Sequence, residues 1–239
     1  MTVELGNFFF RYRNVLFPLA FVVAILAGRP EYPFGRPDMD AAFALAGVVV
    51  ALLGETLRAL TIGYEYIIRG GMKRKVYAET LVQGGVFAHC RNPLYMGNLL
   101  IVLGLALVSD SDAFYLIFIP FALLAYTSIV AAEEAYLRGK FGAEYNDYCR
   151  RVNRWWPRWA GFSRSVEGMR FNWKRVLVKE FNTIFIVVVA LACLEVLSEF
   201  SVNGTSGLPP TQYLIAGAFV WLSLYLLVRT LKKTGRLKG

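Results

Sequence analysis

Two pairs of ionisable residues stand where charge is expensive. Glu55 and Arg58 lie three residues apart inside the apolar run Ala41–Gly63. On a helix that spacing puts them on one face, where they can pair. Charge within a membrane-length apolar stretch is rare and marks a functional site by default. The pair is either a structural one that hides both charges from lipid, or part of a polar pocket whose guanidinium meets a substrate anion. Glu133 and Glu134 follow the run Ala113–Ala132. Two carboxylates at the end of a helix oppose its dipole, so something cationic or hydroxyl-bearing should compensate nearby. Between the two pairs, the stretch from Glu79 to Asn98 leads into a third apolar run and contains Gly84-Gly85, His89, Cys90, Arg91, Asn92, Pro93, Tyr95 and Gly97. Asn92-Pro93 reads as a helix start, with Asn capping free amides and Pro suiting the first turn. That accounts for Asn92, Pro93 and the flanking Arg91, but not for Tyr95 or Gly97. His89, Glu55 and Glu134 are the candidate general bases.

The elements that must position these groups are membrane spans. Hydrophobic residues make up 56% of the 239 residues, charged residues 18%, and mean hydropathy is +0.46. A soluble domain carries roughly a quarter charged residues. The apolar excess falls in six blocks, Val15–Gly28, Ala41–Gly63, Leu94–Val108, Ala113–Ala132, Thr183–Leu197 and Tyr213–Val228. A perpendicular span needs about 20 residues, so the shorter blocks need flanking residues, with Arg11 and Arg13 snorkelling from the first. With both termini cytoplasmic, 23 Lys and Arg face inward and 2, Arg29 and Arg36, face outward, leaving Arg58 in a span. The positive-inside rule therefore sets an N-in, C-in chain of about six spans. The net charge of +9 describes an inner face beside anionic lipid; a nucleic-acid partner is not expected.

Other chemistry has little support. The three cysteines have no paired spacing and read as reduced, structural thiols. The single histidine cannot build a zinc site alone, and no metal is expected. Nucleotide-binding glycine motifs after a strand are missing. The first apolar block lacks the small-residue exit of a cleavable signal peptide, and no internal repeat suggests a transporter. From Phe162 to Phe181, apolar residues recur every three or four positions among Arg164, Arg170, Lys174, Arg175 and Lys179. That pattern predicts an amphipathic helix in the interface plane, or a plain connector to the fifth span.

Taken in order, three motifs resemble a known family. They are Gly54-Glu55-x-Leu57-Arg58; the run Leu81-Val82-x-x-Gly85-x-Phe87-x-x-x-Arg91-Asn92-Pro93-x-Tyr95-x-Gly97; and, after a helical hairpin, Glu133-Glu134-x-x-Leu137-x-x-x-Phe141-Gly142-x-x-Tyr145-x-x-Tyr148. Together they resemble the isoprenylcysteine carboxyl methyltransferases, a family allied to the membrane phospholipid methyltransferases. The resemblance covers about Gly54–Pro157. Asn92 stands where His is more usual and Phe87 where Tyr is common. Ile129 stands where the eukaryotic enzymes carry a substrate-side Arg.

The resemblance implies an integral membrane enzyme that transfers a methyl group from S-adenosylmethionine to a lipidic acceptor at the cytoplasmic face, leaving S-adenosylhomocysteine. It implies a cofactor set of Glu79, Thr80, Leu81, Val82, Phe87, His89, Arg91, Asn92, Pro93, Leu94, Tyr95, Glu133 and Glu134. Arg58 and Glu55 are then the catalytic-side pair, with Arg58 the in-span cation for an acceptor carboxylate. O-methylation is favoured because an ionised carboxylate needs no base, whereas an ammonium must first lose a proton. N-methylation of a phospholipid amine, a nicotinamide-dependent membrane reductase of related helical fold, and a non-catalytic scaffold are the alternatives. The expected organisation is N-terminal spans at 1–53, a methyltransferase core at 54–159, an interfacial basic linker at 160–182, and two further spans with a basic tail at 183–239.

Overall fold

The structure, a computed structural model, describes residues 2–65 and 76–237. Arg69, Lys73, Arg74 and Lys75, counted above toward the inner face, lie outside the described residues, as does Lys238. The described chain is an all-α integral membrane bundle. Its helices are α1 (Thr2–Ala27), α2 (Pro37–Tyr64), α3 (Pro93–Val108), α4 (Ile119–Phe141), α5 (Ala143–Arg151), α6 (Phe162–Ser165), α7 (Trp173–Asn203) and α8 (Thr211–Lys233). A π turn over Phe114–Phe118 runs directly into α4. The six apolar blocks correspond to α1, α2, α3, α4, α7 and α8. Five are long and apolar enough to cross a bilayer, whereas α3 has 16 residues. At 1.5 Å per residue α3 is about 24 Å long, short of a full hydrocarbon core. Pro93 opens it and Ser109 ends it.

Helices α2 and α3 run antiparallel at backbone contact. A methyl group at Gly47 would stand 2.6 Å from the Gly104 carbonyl oxygen, and one at Gly54 would stand 2.6 Å from that of Gly97. With no hydrophobic drive between helices in lipid, such small residues let packing and polar contacts hold a pair together. This explains Gly97, which the helix-start reading left over: the Arg58 side chain crosses it. Helix α1 lies along α4, and one core cluster joins Phe9 and Phe10 of α1, Ala51 of α2, Ile101 and Leu105 of α3, Ala125 and Ile129 of α4, and Val187 and Leu194 of α7. Helix α8 buries no residue and meets α7 through Trp221 on Phe185 and Tyr225 on Phe181.

The amphipathic helix expected over Phe162–Phe181 does not form as one piece. Only the four residues of α6 are helical before Gly168 adopts φ +79°, and helix resumes at Trp173. Asn172 wins over the periodic pattern because it caps α7, its side chain accepting from the Arg175 amide at 2.9 Å. Its own amide donates to the Gly63 carbonyl at 2.9 Å, and the Phe171 ring lies over Gly63, where a side chain would collide. Residues 152–172 thus form a strap across the loop before α3. It is tied by the Arg91 amide to the Asn153 carbonyl (2.9 Å) and the Arg158 amide to the His89 carbonyl (3.1 Å).

At the opposite end of the bundle, Asp110 accepts from the Ser198 hydroxyl at 2.8 Å. Asp40 and Glu195 lie beside it, and a cavity of about 110 Å³ opens next to Ser109, Ser111 and Gly28.

Candidate active site

The hairpin of α3 and α4 brings the first turn of one helix against the last turns of the other. Tyr95 donates its hydroxyl proton to Glu133 Oε1 at 2.7 Å. On the adjacent side of α4, Glu134 Oε1 receives Arg91 Nη2 at 3.2 Å, Arg154 Nε at 3.1 Å and Asn92 Nδ2 at 3.4 Å. Helix α4 continues to Phe141, so the two carboxylates are not at its end as expected, yet both are compensated: a phenol for Glu133 and two guanidiniums for Glu134. Asn92 stands at the N-cap position of α3 as expected, with Pro93 in the first turn, but its side chain makes no cap hydrogen bond. Its side-chain amide instead bridges Glu134 and the Arg154 carbonyl, the latter at 3.1 Å, which ties α3, α4 and the strap together.

Arg58 is buried at 5% exposure, and its main partner is not the expected one. Glu55 Oε2 stands 4.0 Å from Nε. Glu180 of α7, fully buried, accepts from Nη2 at 2.6 Å and from Nε at 3.1 Å. Nη1 donates to Asn98 Oδ1, and Nη2 also reaches Thr183 Oγ1 at 3.3 Å. Asn98 in turn hydrogen-bonds the hydroxyl of Tyr126, whose ring lies 5.5 Å from that of Tyr95. A polar seam thus runs Glu180–Arg58–Asn98–Tyr126–Tyr95–Glu133 through an otherwise apolar bundle. Most of the five donors of the guanidinium fork are spoken for within the protein.

The remaining candidate residues divide between seam and scaffold. Glu79 and Thr80 are exposed at the surface. Leu81 packs on Tyr145, Tyr148 and Val152, and Val82 is half-buried. Phe87 is buried and its carbonyl accepts from the Tyr148 hydroxyl at 2.8 Å. Burial pushes that phenol above its ordinary value. His89 is held at both ring nitrogens, Nδ1 by the Arg158 carbonyl and Nε2 by Ser165 Oγ at 2.9 Å, and its ring stacks on Trp159. Arg91 also binds the Cys149 carbonyl at 3.2 Å. Pro93 and Leu94 are buried, Leu94 against Ile62 and Val176. All three cysteines are free; Cys90 donates to the Trp155 carbonyl at 3.0 Å, and burial raises its thiol to about 11. Among the described residues, no group of three or more His, Cys, Asp or Glu is placed to hold a metal.

The sequence reading missed Glu180, Asn98, Tyr126 and Arg154. Glu180 sits in a stretch read as a basic linker. Its one signal was a carboxylate three residues before the apolar run that begins at Thr183, in a segment whose other charges are cations except Glu167.

Comparison with known proteins finds a family match for residues 43–144, the segment that holds the α2–α3–α4 unit. They match the phospholipid methyltransferase family. That family includes the isoprenylcysteine carboxyl methyltransferases. The matching segment contains Arg58, the loop before α3, Asn98, Tyr126 and both carboxylates of α4, whereas Arg154 and Glu180 lie beyond it. Two curated relatives are similar to parts of the chain. The cobalt-zinc-cadmium resistance protein CzcN of Cupriavidus metallidurans is 35% identical over 80 residues, covering 34% of this chain and 37% of that protein. The nickel-cobalt-cadmium resistance protein NccN of Alcaligenes xylosoxydans xylosoxydans is 27% identical over 137 residues, covering 57% of this chain and 59% of that protein. No solved structure matches.

Proposed function

We propose that this protein is an S-adenosylmethionine-dependent methyltransferase acting on a lipophilic acceptor at the cytoplasmic membrane face. The observation that carries the reading is the convergence, within the family segment, of Tyr95 and Asn92 of the α3 start on Glu133 and Glu134 of α4. The donor set suits the cofactor: a carboxylate and a phenol offer acceptors and a donor for its ammonium and hydroxyl groups. Glu133, Tyr95 and Asn92 are the residues proposed to hold it. Glu134, already bound by two arginines, holds the strap in place. When bound, the cofactor supplies a methyl group activated on a sulfonium, which passes to the acceptor as the carbon–sulfur bond breaks.

The chain's own work is then placement. Holding two reactants in line contributes up to ~7–11 kcal/mol in favourable intramolecular cases. Two of the candidate bases are engaged: His89 is bound at both nitrogens, and Glu134 accepts from two guanidiniums. That supports an acceptor that is already ionised, a carboxylate oxygen, over an ammonium. Arg58, engaged by Glu180, Asn98 and Thr183, fits a structural role at the floor of the seam better than contact with an acceptor anion.

Calorimetry on purified protein with S-adenosylhomocysteine and with NADPH tests the cofactor. Saturable binding of the first alone supports methyl transfer; binding of NADPH alone would replace it by the reductase reading. Orientation is tested by cysteines introduced at Ala160, on the strap, and at Thr205, after α7. In intact cells an impermeant maleimide should label Thr205→Cys and miss Ala160→Cys; the reverse pattern refutes the cytoplasmic face.

A further inference from the structure

The stripe of α1 that packs on α4 contains one cation. Gly6, Phe10, Arg13 and Phe17 succeed one another at steps of four, three and four residues, which keeps them on one helical face. Gly6 touches the backbone of Ser128 and the side chain of Ala132. Further along, the Phe17 ring lies tilted 4.7 Å from that of Tyr126 and edge-on 5.1 Å from that of Phe121. Arg13 lies between these two contacts, half-buried, with its Cζ 4.4 Å from the centre of the Phe10 ring. Its charge acts on Glu133, Tyr95 and Tyr126, the inner half of the polar seam. Yet among the described residues Arg13 makes no hydrogen bond and no ion pair. The other arginines of the site differ: Arg58 is held by Glu180, and Arg91 and Arg154 by Glu134. A half-buried guanidinium with no hydrogen-bonded partner is costly, and its planar fork suits an oxyanion in two bonds.

We propose that Arg13 is the acceptor anchor of this site, a specificity-determining residue that binds an anionic oxygen group, carboxylate or phosphate, on a lipophilic acceptor. It rests on the proposed methyl-transfer reading for what happens to the acceptor, but not for the binding itself. Helix α1 lies outside the family-matching residues 43–144, so this selectivity is a property of this chain's own N-terminal helix. The same argument explains why a site with two carboxylates in its wall would admit an anion at all: the guanidinium offsets Glu133.

The test measures acceptor binding and cofactor binding separately, on full-length protein in phosphatidylcholine nanodiscs. Three single-chain probes are used: oleate, oleoyl lysophosphatidate and oleyl alcohol. The wild type should bind one or both anionic probes saturably and the alcohol more weakly. Oleate preferred over lysophosphatidate identifies a carboxylate acceptor, and the reverse order a phosphate headgroup. Arg13→Gln should weaken the preferred anion at least tenfold while keeping S-adenosylhomocysteine affinity and melting temperature. Arg13→Lys should recover part of the loss. Arg11→Gln, which removes the same charge from an exposed neighbour, should change nothing. Equal anion binding by wild type and Arg13→Gln, an equal loss in Arg11→Gln, or no saturable anion binding by the wild type each overturns the assignment. In the last two cases Arg13 is a headgroup contact only. Failure of wild type to bind S-adenosylhomocysteine, with anion binding still lost in Arg13→Gln, would reject the methyltransferase reading and leave the anchor standing.

Discussion

Neutralising Glu180 should damage the bundle more than its place outside the family segment suggests. Its carboxylate is fully buried and accepts two bonds from Arg58, at 2.6 and 3.1 Å. Removing one partner from a buried pair costs about 3–5 kcal/mol, because the other charge is left behind. Glu180→Gln keeps an acceptor oxygen and the side-chain shape, so the lower end applies, about 3 kcal/mol. That is a roughly 150-fold change in the folded-to-unfolded ratio. At about 2–4 °C per kcal/mol for a chain of this size, the melting temperature should fall by about 6–12 °C. Tryptophan fluorescence during a thermal ramp in detergent, with monodispersity checked by size exclusion, reads the change. Arg58→Gln/Glu180→Gln removes both charges and leaves Asn98 and Thr183 as partners for the amides. It should recover to within about 1 kcal/mol of wild type, since replacing a whole buried pair is often near neutral. Glu55→Gln, whose carboxylate stands at 4.0 Å, should cost less than Glu180→Gln. A Glu180→Gln protein that melts with the wild type, or a double variant no better than the single, refutes the assignment of Glu180 as the partner that holds the guanidinium.

Three further outcomes are expected. Glu133→Ala should weaken S-adenosylhomocysteine binding at least tenfold with little change in melting, while Glu134→Ala should lower the melting temperature by freeing Arg91 and Arg154, the smaller share coming from the more exposed Arg154; calorimetry with the reverse ranking would reassign the two carboxylates. Gly54→Ala should cost about 1–3 kcal/mol by forcing a methyl 2.6 Å from the Gly97 carbonyl oxygen, whereas Gly139→Ala, with open space around it, should be neutral or stabilising by up to about 1 kcal/mol. Equal melting temperatures for the two variants would mean α2 and α3 are not in backbone contact. At the far end, burial and the neighbours Asp40 and Glu195 raise Asp110 from 3.8 to about 7. The folded form therefore holds a proton that the unfolded chain releases, and stability should fall as pH rises from about 4 to about 7, then level off. Asp110→Asn should remove that slope and gain most over wild type at pH 8; an identical gain at pH 4 would show that titration is not the cause.

The sequence by itself determined that this is a helical membrane protein and which apolar runs become helices, and it picked out local groups that the fold brings together. Hydropathy reports the solvent of each segment residue by residue, and the motif residues Asn92, Tyr95, Glu133 and Glu134 are near one another along a single hairpin. The helix-end dipole that suggested compensated carboxylates is not the cause, because α4 continues about two turns beyond Glu134; burial of the pair is what calls for partners. The partners themselves were decided by tertiary structure. Arg58 has Glu55 three residues away, yet its short bonds go to Glu180, 122 positions further on, because α7 packs where α2 and α3 meet at paired glycines. Periodicity over Phe162–Phe181 pointed to one helix, but Gly168 and the Asn172 cap break it so that the strap can reach back to Gly63. Asn92, suited to cap α3, is drawn instead to Glu134 by the arrival of Arg154. Each of these outcomes depends on which distant segment fills the space beside a residue, and spacing along the chain holds no information about that.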